Sequence, residues 1–513
     1  MAIETRFAGS SPRVAPEPTR GPHDRWLLAA ILALALGVRV YVIWTQQFVI
    51  HADETFQYLE QAHRLAFGDG VVPWEFIDGA RSWLVPGIIS GLMRMAAWFS
   101  NDPLSYLRFI RLCAAAIALT PVYIGFRLGQ RTGGTIAAVL TGTLCAVWFE
   151  LIYFAPLILT EVFSTHAALW ALYLNITGER PKRLAWAGAL FALAICLRVQ
   201  NGPALLGAML WLNRADWRRW RWLIAGGLPV ALALGGVLDT VTLGLPFQSI
   251  WLNIYRNIWQ GVGASNGLEP IIYYPHWIWW MWRYALIIAV FAAAGAVRVP
   301  ALAIAAAITL AVHSFIGHKE YRFIYLALAV MPILAGIGMA WLSEWLSRFL
   351  KGRPGPGYVA AALLASAAAV SCYAGTHDVV ARRWSQGRPR VQALLAAHAQ
   401  ADLCGLGIKE LAMFDSGGYA YLHRDVPLFF DSYSEVHHLR GTSVPFRTII
   451  VFHNRTLEQY PGPAMASNTA RFNYLIAPPG DAYPSYDPVA CFANPAAPDP
   501  PETCLFRRPG PCR

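Results

Sequence analysis

The chain has 513 residues, 56% of them hydrophobic and only 14% charged, with a mean hydropathy of +0.40. Soluble domains carry about 25% charged residues, so this balance excludes a wholly soluble chain and places most of it in lipid. The formal charge of +11 sits in short basic clusters between apolar runs, which is a topology signal and excludes nucleic acid as the expected partner.

Residues 1–25 are polar and Pro-rich and carry Arg6, Arg13, Arg20 and Arg25 ahead of an apolar run from Trp26 to Thr45. That run is longer than the core of a cleavable signal and lacks a small-residue cleavage site. It predicts an uncleaved first membrane helix with a cytoplasmic N-terminus. Apolar stretches of about 20 residues, each enough to cross roughly 30 Å of hydrocarbon, recur as far as Tyr373. Spans are predicted at 26–45, 107–126, 132–152, 162–178, 184–198, 202–213, 222–239, 277–297, 299–316, 324–342 and 358–375. This threading keeps the basic clusters inside, as short cytoplasmic loops require. They are Arg127 with Arg131, then Arg180, Lys182 and Arg183, then Arg214, Arg218, Arg219 and Arg221, then Arg298, and last Arg348, Lys351 and Arg353.

The expected fold is a polytopic α-helical membrane protein with about 11 transmembrane helices. A cytoplasmic tail, 1–25, precedes a multi-helical domain, 26–375, whose outer loop is 46–106. The stretches Pro156 to Glu161, 240–276 and His318 to Phe323 also fall outside. Leu84 to Phe99 is apolar but short and carries Arg94, which predicts a helix lying along the interface. Residues 376–513 are mixed and polar, with strand-like runs such as Thr448 to Phe452, and predict a small extracytoplasmic α/β domain. Cys113, Cys145, Cys196 and Cys372 fall in or beside spans, where cysteine is an apolar packing residue. Cys404, Cys491, Cys504 and Cys512 fall in the tail, outside the reducing cytosol, and predict one or two disulfides among three open pairings.

The chemistry begins in the first outer loop, which reads His51, Ala52, Asp53, Glu54, Thr55, Phe56, Gln57. Adjacent carboxylates at the water edge of lipid suit a general base and a substrate orienter, because a sugar hydroxyl is a poor nucleophile until its proton is taken. The ordinary alternative makes Asp53 an N-cap and Glu54 a partner of the helix dipole. No metal is expected there, the spacing being undiagnostic. Arg81, just before the apolar segment, either snorkels or contacts a phosphate through its planar fork. An ionisable residue at the centre of a bilayer helix costs at least about 2.5 kcal/mol. Arg39, which snorkels or pairs internally, Glu161, Arg198 and Asp239 therefore carry weight. So does the knot His318, Lys319, Glu320 and Arg322, with His313 just before it.

These residues resemble glycosyltransferase family 22, the polyprenyl-phosphate-mannose-dependent mannosyltransferases that build GPI anchors and lipid-linked oligosaccharides. The resemblance rests on His51 to Gln57 with Gly68, Trp74, Glu75, Arg81, Ser82 and Pro86, and on His318 to Phe323 with Tyr325. Asp239, Gly244, Asn253, Asn257, Gly267, Pro270, Tyr273 and Tyr274 follow the order of that family's central loop. Ala52 stands where the family has Pro, Tyr321 where it has an acid, and Leu243 and Asn266 where it has Tyr.

The resemblance implies a GT-C type fold and inverting transfer of mannose from a polyprenyl-phosphate donor to a glycolipid or glycan acceptor. It implies no nucleotide sugar, no cofactor and no obligatory metal. Asp53 would be the general base and Glu54 would orient sugar or acceptor. Arg322, with Lys319 and His318, would hold the departing phosphate. His51, Gln57, Arg81 and Glu320 would bind substrate, and Glu161 and Arg198 would line the site. A flippase or transporter of a lipid-linked sugar, or a transferase using another polyprenyl-phosphate sugar, stays open on the residues alone.

Overall fold

The computed structural model describes residues 23–46, 51–265, 267–409, 416–430, 451–452, 455–456, 465, 469–495 and 498–512. Helix dominates as far as Thr376, since backbone polar groups in lipid must be satisfied within their own segment. A helix stands at each predicted span. Among the described residues six segments are long and apolar enough to cross a membrane: Asp24–Thr45, Pro103–Val147, Trp217–Leu243, Tyr273–Ala296, Tyr321–Phe349 and Pro356–Thr376. Leu84–Ala97 and Pro300–Phe315 are apolar but shorter.

Pro103–Val147 holds two predicted spans, and its corner differs from expectation. The helix continues through Arg127 and Arg131 and breaks at Gly133 and Gly134, the latter at φ 68°. Glycine takes that dihedral without a Cβ penalty. Past the corner the chain folds back, bringing Gly129 against the Ala137 carbonyl and Gly125 against Thr141 and Cys145. Arg39 lies fully buried in the first helix and donates to the carbonyls of Ala35, Ala146 and Leu151 at 2.9, 3.2 and 3.2 Å. It pairs internally, satisfying carbonyls where Thr120–Val147 ends and Phe149–Tyr153 begins.

Two helix pairs meet backbone to backbone. A Cβ on Gly188 would stand 1.9 Å from the Leu223 carbonyl, and one on Gly226 1.8 Å from that of Ala185. Gly295 and Gly338 make the same reciprocal contact with Leu334 and Phe291. Small residues at such crossings are the usual device where lipid gives no hydrophobic drive to association.

Beyond Thr376, helix Arg388–His398 packs on a five-stranded sheet. Its strands are β1 (Leu406–Ile408), β2 (Leu428–Phe430), β5 (Tyr474–Ala477), β6 (Asp487–Phe492) and β7 (Thr503–Arg507), in the order β2-β1-β5-β7-β6. β1 is parallel to β2 and β5, and β7 is antiparallel to β5 and β6. Residues 448–450 of the expected strand-like run lie outside the described residues, as do 1–22 of the tail and 47–50 of the outer loop. Val451–Phe452 (β3) pairs with Arg455–Thr456 (β4). Both disulfides form, Cys404–Cys512 and Cys491–Cys504. Of the four free thiols, Cys145 is buried and Cys372 exposed.

This unit is tied to the long loop after the first helix. The Glu60 carboxylate accepts the amides of Val71, Tyr419 and Ala420 at 3.0, 2.9 and 2.8 Å. Arg111 donates to the Tyr421 hydroxyl at 2.8 Å, Tyr106 donates to the Ala420 carbonyl, and His63 and His423 are 2.8 Å apart. A methyl on Gly418 would meet the Glu60 carboxylate at 2.7 Å. Glycine is the residue that lets the acid approach.

Candidate active site

Two segments far apart in sequence meet at one point. The first runs from His51 through wide π-type turns, Glu54–Leu59, into helix Glu60–Phe67. The second is the loop ending at Glu320 and the tight turn Tyr321–Ile324, between helices Pro300–Phe315 and Tyr325–Phe349. Arg322 is the buried hub. It donates to Asp53 Oδ2 at 2.5 Å and to both Glu320 oxygens at 2.8 Å, and lies 3.3 Å from Glu161 Oε1. Glu161 also pairs with Arg198 at 3.0 Å, and Arg198 and Arg322 both lie over the Phe323 ring. Three carboxylates therefore hold two guanidinium groups, an arrangement that avoids the several kcal/mol cost of an unpaired buried charge.

Asp53 makes no capping bond to the helix it opens, so the N-cap alternative does not describe it. Its Oδ1 accepts Gln57 Nε2 at 2.8 Å, one turn on, and Gln57 also donates to Glu75 at 2.7 Å. With its side chain 30% exposed, the carboxylate keeps lone pairs within reach of a ligand. Glu54 has different surroundings. It is buried, accepts the Ile158 amide at 3.1 Å and stands 4.0 Å from Arg111. Burial raises its carboxyl pKa against the pull of Arg111.

His51 lies 3.8 Å from Glu320, and burial with the nearby Arg322 pushes its imidazole down to about 4, so it is neutral near pH 7. Burial alone would raise Glu320, but Arg322 and His318 hold it well below the usual carboxylate range. His318 Nε2 is 3.4 Å from Glu320. Lys319, expected beside Arg322 in a phosphate clamp, turns elsewhere: its buried ammonium donates to the carbonyls of Glu269 at 2.7 Å and Gly317 at 3.4 Å. It braces the central loop.

Two cavities adjoin the knot. A recess of 40 Å³ is lined by Arg81, Arg198, Tyr58 and Thr160, with Leu84, Val85, Ile195, Leu197 and Ile250 as its apolar side. Among the described residues Arg81 has no hydrogen bond or ion pair; its buried Nε is unpartnered, while Tyr58, and after it Asp53, Glu75 and Glu161, act on it electrostatically. The second cavity, of 220 Å³, is lined by His51, Glu320 and Arg322 on one wall and by Glu150, Tyr321 and Arg383 on others. The expected residues thus separate. Asp53, Glu161, Arg198, Glu320 and Arg322 form the knot, with His51, Gln57 and His318 at its edge. Arg81 stands in its own recess, and Glu54 and Lys319 support from behind.

Sequence reasoning missed two residues here, Glu150 and Arg383, and gave a third, Glu75, no role. Glu150 is a carboxylate inside the apolar run Trp148 to Phe154, and the cost of such a group in lipid was the signal that could have found it. Glu75 is buried, and burial pushes it up to about 7 despite Arg81. Arg383 follows the last span, where no pattern marks it. Among the described residues no three His, Cys, Asp or Glu side chains converge as a metal-holding group.

A model of the Alg9-like mannosyltransferase family matches residues 26–383. The GPI mannosyltransferase 3 of Yarrowia lipolytica is 26% identical over 428 residues, 78% of this chain and 76% of that protein. The GPI alpha-1,2-mannosyltransferase 3 of Mus musculus is 26% identical over 365 residues, 67% of this chain and 65% of its own length, just under two thirds. Among solved structures, ArnT from Cupriavidus metallidurans bound to undecaprenyl phosphate superposes with a TM-score of 0.62, covering 95% of this chain and 98% of that one at 14% identity. At that identity the likeness is one of fold.

Proposed function

The chain belongs to the Alg9-like mannosyltransferase family, and on that premise we propose that it transfers mannose, with inversion, from a polyprenyl-phosphate donor to a glycolipid or glycan acceptor at the non-cytoplasmic face of the membrane. The observation that carries this reading is Asp53: a partly open carboxylate, fixed by Arg322 and Gln57, near a recess in which the buried Nε of Arg81 has no hydrogen-bond partner among the described residues.

In the reaction the acceptor hydroxyl attacks the anomeric carbon of the donor as Asp53 takes its proton, and the bond from that carbon to the phosphate oxygen breaks with its electron pair. A general base contributes about 10²- to 10⁴-fold. Negative charge grows on the departing phosphate, and the planar fork of Arg81, with Arg198 on the same recess wall, is suited to it. Arg322 orients the base, and Glu54 positions it by holding the Ile158 amide.

The outer placement is supported by the disulfides of the C-terminal unit, which form and persist in oxidising compartments. The ArnT structure of like fold is bound to undecaprenyl phosphate, which supports a lipid donor here. The test supplies radiolabelled polyprenyl-phosphate mannose or GDP-mannose to purified protein, with a membrane lipid extract as acceptor source. Label moves from the lipid donor only. Transfer from GDP-mannose with no polyprenyl lipid present would overturn the donor assignment.

A further inference from the structure

We propose that the 220 Å³ cavity on the far side of Arg322 is the seat of the acceptor's reactive sugar, and that Tyr321, Arg383 and Gln386 set acceptor specificity there. The proposal rests on the transferase reading above and assigns its second substrate a place.

The cavity's size comes first. At about 30 Å³ per water it holds roughly seven waters, the scale of one sugar ring. Its walls combine aromatic faces, Phe149, Phe154 and Tyr273 among them, with charged and amide groups, the mixture that stacks on the apolar face of a pyranose and bonds its hydroxyls. Arg322, on this cavity's wall, bonds the Asp53 carboxylate, so the cavity lies one side chain from the base. A base needs the hydroxyl it deprotonates within hydrogen-bond reach, and that nearness suits the acceptor. The recess at Arg81, part basic and part apolar, suits the donor's phosphate.

Tyr321 is the departure that makes the cavity this chain's own. Where the resemblance has an acid, the chain places a hydroxyl that is donated to Glu150. Glu150 is otherwise occupied by the indoles of Trp282 at 2.8 Å and Trp148 at 3.1 Å. With its carboxylate taken up by these three donors, Glu150 is a fixture rather than a ligand. It fixes the Tyr321 hydroxyl, which also stands beside the Trp282 indole, as a neutral group on the cavity wall where a charge would otherwise stand. The opposite side comes from the turn after the last span: Arg383, stacked on Trp277 at 5.3 Å and beside Tyr153 on the cavity wall, and the exposed Gln386.

The experiment uses purified full-length protein, labelled polyprenyl-phosphate mannose, and a glycolipid extract from a strain lacking the protein, which accumulates the acceptor. Initial rates are measured against extract at saturating donor, and against donor at fixed extract. For Arg383→Gln, Gln386→Ala and Tyr321→Phe the extract needed for half-maximal rate rises at least fivefold while the donor KM stays within twofold. Gln386 is exposed, so its variant reports on binding even if the others fail to fold. A rise in donor KM with the extract dependence unchanged, or no change in either, overturns the proposal while leaving the transferase reading intact. Failure of the wild type to use the lipid donor sinks that reading, and this one with it.

Discussion

Arg322 and Arg81 stand close to the same carboxylates and are held in opposite ways. Arg322 is bonded by Asp53 and Glu320 and paired with Glu161. Arg81 has no hydrogen bond or ion pair among the described residues and faces a recess with an apolar side. A buried guanidinium already neutralised by carboxylates has little left to offer an anion; its use is to hold the acids in place. One left open is a site prepared for a negative group that arrives from elsewhere. The difference separates positioning from binding within a single cluster of charge.

The strongest way to break this comparison is to remove the carboxylate that Arg322 positions. Asp53→Asn keeps the size of the side chain and a group that can still accept from Arg322, so insertion and yield stay normal. Transfer falls on the order of 1,000-fold, within the range for a lost general base. Full activity in this variant would leave Arg322 positioning nothing. Next in size is Arg81→Ala, expected to raise the donor KM about 10- to 50-fold with the acceptor dependence unchanged, on the scale of a lost charge-assisted contact. Arg81→Lys recovers only part, lacking the planar fork. An unchanged donor KM would return Arg81 to a snorkelling role.

The smallest effect is in pH. Burial raises Glu75 from 4.5 to about 7, with Arg81 opposing. Its carboxyl is largely protonated below pH 7 and charged above, and once charged it competes with a donor phosphate for Arg81. The donor KM therefore rises about threefold between pH 6 and pH 8, and Glu75→Gln flattens the profile. The stability linkage has the same direction: a carboxyl with a raised folded-state pKa contributes fully below its unfolded value and loses that contribution as pH climbs through about 7. A flat wild-type profile would detach Glu75 from the recess.

The two charged motifs were legible because lipid makes charge conspicuous. Asp53, Glu161, Arg198, Glu320 and Arg322 each interrupt or border an apolar run, and the structure brings these five together. What stayed hidden depended on direction rather than position. Glu54 follows Asp53 directly, yet about 100° of helical rotation turns it toward Ile158 and Arg111. Lys319 lies three residues from Arg322, yet loop carbonyls take it. The corner at Gly133 and Gly134 was displaced because the basic residues that mark a loop in lipid also extend a helix into the headgroups. The disulfide pairing could not be chosen from spacing, since it depends on β7 lying beside β6, with Cys491 opposite Cys504.

The glycine crossing between Pro181–Leu197 and the helix that begins at Trp217 has a mechanical consequence. The first helix ends in Ile195 to Arg198, one flank of the Arg81 recess, and the chain beyond the second supplies Ser249 and Asn253 to the same cavity. Where Gly188 and Gly226 touch opposing carbonyls there is no side chain to trim or rotate. A single methyl at either would force the helices apart by roughly 1.5 Å to reach normal contact distance. That crossing therefore works as a spacer gauge, and the width of the Arg81 recess is calibrated by two glycines that do not line it.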